Sequence, residues 1–500
     1  MIINREVRKC ILADGSAGYE LMISFVNKEK KISYLRFPIP REWMYQWRYA
    51  RPGVYPDQNY LSWDFKPVYR EQIGDYFSDQ RVHEMIVDMI KQYPQVAEIN
   101  DLIIPDTSYC DIEVDVDPKI GFPEAHGDNG AMMPVNTISW VHDSDVIVLG
   151  RAELSIEKIN WIQKRIDEHC ARFKTKYKFK YVYFDNERQM LDTFFRDYLY
   201  PAACTTGWNF FGYDWPYLYN RARTRLGLNI DYLSPSGSWY KYTPQKSTQP
   251  IQLPRHKCMY DYMEIYAKWD QVVAVKESNR LDWVAETVTG EKKVEHDMNF
   301  TDMWRKDPAL YVFYNAVDSI LVREIDLAIK TSSAFFGLAN LMHVDALTAF
   351  SPVRSLEIVQ TEYLYNEFRV FPEVPKNRKG DDETDEGYEG AYVYDPIPGV
   401  YRNVIALDFA SLYPTTMRQF NISPETFVLK NKNHRRKDNE IVCTSGAVYR
   451  NDFEGFIPKI LSDFYAQRKR YKKDMMIAID ETHELEDIYL KRFGKEYVHE

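Results

Sequence analysis

The order of apolar and polar positions along the chain predicts where strands and helices fall. Residues 110–116 read CDIEVDV, in which apolar and acidic positions alternate with the period of a half-buried strand. Residues 404–409 read VIALDF, a short apolar run that predicts a second strand closing on an aspartate. Helical spacing follows at Met190, Leu191, Phe194, Phe195, Tyr198 and Leu199, with Asn186 and Gln189 placed as a capping box at its start. Pro216 suits a first helical position and Gly227 a helix end. Asp307 and Pro308 open a helix expected to run to about Lys330, and Pro458 opens a long one through about Met476. Strands alternating with helices between about 106 and 340 predict an α/β domain. An apolar helical region covers 331–370. The acidic stretch 379–390, KGDDETDEGYEG, then reads as an exposed connector at a domain boundary.

Composition narrows the class. A length of 500 residues suggests about three domains. With 45% apolar and 28% charged residues, the chain reads as globular rather than fibrous or disordered. No run of about 18 apolar residues occurs, so no transmembrane helix is expected. The opening MIINREVRKCILADG lacks an apolar core long enough for a signal peptide, so a cytoplasmic location is expected. Six cysteines form no CxxC pair and no zinc spacing, and read as reduced bystanders. The 64 basic and 74 acidic residues leave a net charge of −10. That excludes a simple basic nucleic-acid coat. It leaves room for a nucleic-acid enzyme, whose metal-binding carboxylates are themselves acidic. The sequence holds no GxGxxG, GxxxxGK[ST] or HExxH, so dinucleotide, P-loop and zincin chemistry find no support.

The acidic residues carry the most specific signal. Asp111 and Glu113 stand two apart on the first predicted strand and share a face. Two carboxylates so close repel unless one is protonated or a cation lies between them, and magnesium is the natural cation for an all-oxygen site. Taken alone, the pair better fits a solvated acidic face, the reading that also holds for Asp115 and Asp117. In Asn209-Phe-Phe-Gly-Tyr-Asp214 the aspartate precedes the helix expected from Pro216, where it would serve as a plain cap. Tyr314 and Asp318 stand i and i+4 on a predicted helix and share a face. Together, in this order over about two hundred residues, the DxE, NxxxYD and YxxxD elements resemble the proofreading 3′–5′ exonuclease domain of family B DNA polymerases, of the DEDD type. The resemblance implies a ribonuclease H-like domain in which Asp111, Glu113, Asp214 and Asp318 bind two Mg2+ ions. It further implies that Tyr314 orients the attacking water and that Asn209 helps position the DNA end.

Residues 403–414, NVIALDFASLYP, followed by RQFNISPET, resemble motif A of the same family, in its T-even phage form. The resemblance implies that Asp408 holds the catalytic metals and that Phe409, Ser411 and Leu412 cradle an incoming triphosphate. Tyr413 would lie under the sugar and exclude a ribose. Tyr388 and Gly390 fall in a stretch that resembles the element linking exonuclease to palm, in contact with the template. Similar segments run from about 111 to 475. The basic run 467–473 suits phosphate contact as well as a solvated lysine face, and 430–437 reads as a basic loop. The implied organisation is multidomain α/β and α+β. An N-terminal domain of 1–105 regains the chain at 341–380. The exonuclease domain fills 106–340, a partial palm 381–457, and the start of the fingers 458–500.

The sequence departs from a whole polymerase of this kind. It holds neither the KxxxNSxYG helix of motif B nor the DTD turn of motif C. Asp408 is therefore expected to be half of a two-metal site, and polymerisation is expected to need a C-terminal half. That half would be a second chain if the gene is split, or the remainder of a longer chain. DNA primer–template and dNTPs are the expected partners. A sliding clamp would bind only through the missing tail, and no membrane partner is expected. A stand-alone 3′–5′ exonuclease and a non-catalytic nucleic-acid-binding replisome module are the alternatives. The first has no use for a nucleotide pocket, and the second no need of four acidic residues in register.

Overall fold

In the computed structural model the described residues are 1–11, 15–73, 77–117, 119, 121–127, 130–245, 247–270, 277–373 and 394–494. They divide into two compact units, one of Met1–Ile39 with Ile86–Ile358 and one of Pro40–Met85 with Val359–Glu500.

The first unit is built on two sheets. Strands Ile2–Ile11, Ala17–Val26 and Ile32–Pro38 form an antiparallel meander. The larger sheet has six strands, in the order Lys178–Tyr183, Asp145–Gly150, Val135–His142, Thr107–Val114, Cys204–Thr206 and Cys258–Met259. Thr107–Val114 pairs antiparallel with Val135–His142, which pairs antiparallel with Asp145–Gly150. Cys204–Thr206 runs parallel to Thr107–Val114, and Cys258–Met259 parallel to Cys204–Thr206. Both faces of this sheet are covered. Successive residues of one strand therefore enter different cores, as Val148 and Leu149 do. On one face the helix Pro308–Ile329 lies across the central strands, flanked by Ile156–His169 and Leu281–Thr289. Its residues Val317, Ile320 and Leu321 are fully buried there.

Most expected elements of this unit form, with shifted ends. Asn186 caps Glu187–Thr193 by accepting from the Gln189 N–H, and Asp307 caps Pro308–Ile329 by accepting from the Leu310 N–H. The first strand spans Thr107–Val114 rather than 110–116, because Asp115 and Val116 leave the ladder. The helix expected to begin at Pro216 begins at Asp214. Asp214 turns its carboxylate toward the neighbouring strand instead of capping its own helix.

The second unit contains the antiparallel pair Tyr45–Tyr49 and Val68–Gln72 and the three-stranded antiparallel sheet Phe427–Lys430, Ala447–Arg450, Glu440–Val442. Helix Leu412–Gln419 packs on Phe456–Phe493. Asn421 joins them to the sheet. Its amide donates to the carbonyls of Arg450 and Phe453 and accepts from the Gly455 N–H. Glu425 accepts from the Phe456 N–H at 2.6 Å, at the start of the long helix. That helix runs well past the expected end at Met476. The strand expected at 404–409 does not form. No described segment pairs with it, and an unpaired strand leaves its backbone groups to water. Its apolar side chains are exposed, Leu407 at 93%.

Candidate metal centre

The alternation of Thr107–Val114 decides where its acidic residues point. Ile112 and Val114 enter the core on one face, so Asp111 and Glu113 emerge on the other, beneath the helix Pro308–Ile329. The helix is stitched to the sheet by side chains about one turn apart. Tyr311 Oη donates to the Val114 carbonyl at 3.2 Å, and Asn315 Nδ2 to Asp111 Oδ2 at 2.7 Å. Ser319 Oγ meets Ser139 Oγ at 2.5 Å, and Ser139 lies opposite Asp111 in the ladder. This seam delivers Asp318 to the acidic strand. Carboxylate oxygens of Asp111, Glu113 and Asp318 lie within 4.8 Å of one another.

Asp214 arrives from the other neighbour. Strand Cys204–Thr206 ends at Gly207, where an added Cβ would meet the Cys110 carbonyl at 2.3 Å, so only glycine lets the chain pass. Asn209 then adopts a left-handed φ of 58° and its carbonyl accepts from the N–H groups of Gly212 and Tyr213. Asp261 holds the middle of the turn by accepting from the Phe211 N–H at 2.9 Å. Asp214, 4% exposed, accepts from the Ile112 N–H at 3.0 Å, between Asp111 and Glu113 in the strand.

The electrostatics are those of a site with too many negative charges. Burial, and after it the Asp318 carboxylate, push Asp111 up to about 7, against the pull of Lys293 and Asn315. Burial and the charges of Asp111 and Asp318 push Glu113 well above the carboxylate range. Burial and Asp111 do the same to Asp214. Burial raises Asp318 too, although Lys293 opposes it. Asp318 Oδ1 is buried with no hydrogen-bond partner among the described residues.

Two residues at this centre carry no signal in the sequence pattern. Asn315 sits inside the YxxxD spacing, fully buried, and orients Asp111. Lys293 donates to Asp318 Oδ2 and, at 3.1 Å, to Tyr314 Oη. It belongs to an irregular segment that turns back after Leu281–Thr289 ends at Gly290, pinned by the Lys293 N–H on Asp282 and by buried Val294. In sequence it is one lysine of EKK, which reads as a solvated charge.

The other expected site residues lie elsewhere. Asp408 and Phe409 are exposed on the irregular segment 404–409. Ser411, with φ of 53°, precedes Leu412–Gln419, on which Leu412 and Tyr413 are exposed. Tyr388 and Gly390 lie outside the described residues.

Residues 50–250 match the description "DNA polymerase family B, exonuclease domain", and residues 357–491 match "DNA polymerase family B". The chain belongs to the family B DNA polymerases. It is 26% identical over 320 residues to the DNA-directed DNA polymerase of Escherichia phage RB69, covering 60% of this chain and 34% of that protein. Against the DNA-directed DNA polymerase of Enterobacteria phage T4 it is 27% identical over 329 residues, 63% of this chain and 36% of that protein. A DNA polymerase of Desulfurococcus sp. (strain Tok) matches 116 residues at 35% identity, 23% of this chain and 14% of that protein. The chain thus spans about a third of the length of these phage relatives.

Proposed function

We propose that the acidic centre is a magnesium-dependent 3′–5′ DNA exonuclease of the proofreading kind, and that residues 381–457 contribute to a polymerase palm. The observation that carries the reading is the convergence of Asp111, Glu113 and Asp318 to within 4.8 Å, from a strand and a helix, with Asp214 bonded to the same strand. The sheet order supports a ribonuclease H-like domain over about 106–340, since an antiparallel trio is followed by two parallel strands on its first member.

The residues fit magnesium. The donors are carboxylate oxygens, which suit a hard cation. A buried Asp318 oxygen has no other partner among the described residues. Asp111, Glu113, Asp214 and Asp318 would hold two ions, which when bound supply an activated water and steady the leaving oxygen of a phosphodiester. Asn315 fixes the Asp111 carboxylate by its hydrogen bond. Tyr314, its hydroxyl held by Lys293, would orient the attacking water. Lys293 offsets part of the carboxylate charge beside it. Asn209, half-buried on the turn to Asp214, would position the 3′ end of the strand.

For the second unit, Asp408 would bind the metals of nucleotide addition, with Phe409, Ser411, Leu412 and Tyr413 around the dNTP and Tyr388 and Gly390 near the template. A second palm aspartate would come from beyond these 500 residues, on the same chain or another. The substrate is DNA primer–template, and replication would take place in the cytoplasm of a phage-infected bacterium. A 5′-labelled primer–template incubated with magnesium, with and without four dNTPs, tests the reading. Shortening from the 3′ end without extension is the expected result. A primer left intact in both conditions would contradict the exonuclease. Extension by these 500 residues alone would contradict the need for a further palm aspartate.

A further inference from the structure

The outer strands of the six-stranded sheet hold a feature that exonuclease chemistry does not use. Cys204 lies directly opposite Cys258 in the parallel ladder. Both are buried, and their sulfur atoms are 2.7 Å apart. Neighbouring strands lie about 4.8 Å apart, inside the roughly 4.4–6.8 Å Cα separation of disulfides. Side chains at one register position leave the same face of the sheet, so the two thiols face each other. Lys257, next in sequence, donates its ammonium to the carbonyls of Tyr200 and Ala202 and so brings a positive charge to the pair.

We propose that Cys204 and Cys258 form a reversible disulfide, a redox staple across the edge of the sheet that carries the acidic centre. The two strands it joins lead into the Asn209–Asp214 turn and its support. Five residues after Cys204 comes Asn209, and three after Cys258 comes Asp261, which holds the Phe211 N–H. The bond ties together the two anchors from which Asp214 hangs.

The oxidant is a small disulfide such as oxidised glutathione. The thiolate of one cysteine attacks a sulfur of that disulfide and expels one thiol. The thiolate of the second cysteine attacks the mixed disulfide and expels the other. The pair loses two electrons, the small disulfide gains them, and the two thiol protons pass to the departing thiols. Burial and the Cys258 thiol push Cys204 well above the ordinary thiol range, against the pull of Lys257. Exchange therefore waits on local opening of the sheet edge, and the finished bond is sheltered from reductants.

The test exposes the full chain to glutathione buffers of stepped oxidised-to-reduced ratio, with and without mild urea to open the edge. Free thiols are then alkylated in full denaturant at a pH quenched against exchange, and peptides are mapped by mass. Alkylated cysteines should fall from six to four, with a 204–258 cross-linked peptide and recovery of all six after reduction. The melting temperature should rise by several degrees, since the bond joins residues 54 apart. Cys258→Ser should lose that rise. Mapping of the wild-type chain decides the question even if this variant folds poorly. Six alkylated cysteines at every ratio, a cross-link between other cysteines, or glutathione adducts without the 204–258 bond would overturn the proposal.

Discussion

At the scale of single residues, Lys293 is the group on which the charge balance of the acidic centre turns. Its ammonium contacts Asp318, whose side chain is buried. Lys293→Ala leaves that carboxylate without a cation. The cost should be about 1–3 kcal/mol in urea unfolding of the metal-free protein, because Asp318 can relieve it by taking up a proton. Magnesium should restore more stability to the variant than to the wild type, and identical unfolding curves would contradict this. Asp111 gives a pH dependence. Its folded-state value of about 7 lies above the ordinary carboxylate range, so the folded metal-free protein holds a proton that the unfolded chain releases above about pH 4. Stability without metal should therefore fall between about pH 4 and pH 7. Magnesium binds the ionised form, so the melting temperature in magnesium minus that in EDTA should grow over the same window. A difference independent of pH from 5 to 8 would remove Asp111 from the metal site. The pairs Asp111–Glu113 and Tyr314–Asp318 were legible in the sequence as shared faces of a strand and a helix, and their convergence with Asp214 only through the family resemblance. Lys293 was not, because an irregular backbone with no period brings it in.

At the scale of elements, stability should follow burial and not hydrophobicity. Ile320, fully buried on the helix Pro308–Ile329, should cost about 2–5 kcal/mol when changed to alanine. Leu407, 93% exposed on 404–409, should change unfolding by less than about 0.5 kcal/mol. A large loss for Leu407→Ala in this chain would mean that the segment is packed in solution. The same contrast explains what the sequence disclosed. Pro308–Ile329 was legible because Asp307, Pro308 and its apolar stripe are all local signals. The strand at 404–409 was not, because a strand depends on a neighbour that its own residues do not encode. The far end of Phe456–Phe493 also escaped, since its mixed, largely exposed residues beyond Met476 carry no apolar stripe.

At the scale of the molecule, the proposed exonuclease centre lies within one of the two compact units. Its carboxylates all come from one unit, Met1–Ile39 with Ile86–Ile358, so the proposal predicts excision with no carboxylate drawn from the other. The most direct measurement is therefore single-turnover excision from a 5′-labelled oligonucleotide in magnesium, comparing the wild type with Asp111→Ala/Glu113→Ala, with DNA affinity followed by anisotropy. The wild type should release nucleotides from the 3′ end. The double variant should lose excision by at least about 1,000-fold, the scale expected when electrostatic stabilisation of a transition state is removed, while keeping its affinity. Equal excision by both proteins, or loss of binding in step with loss of excision, would contradict the assignment of Asp111 and Glu113 to the metal centre.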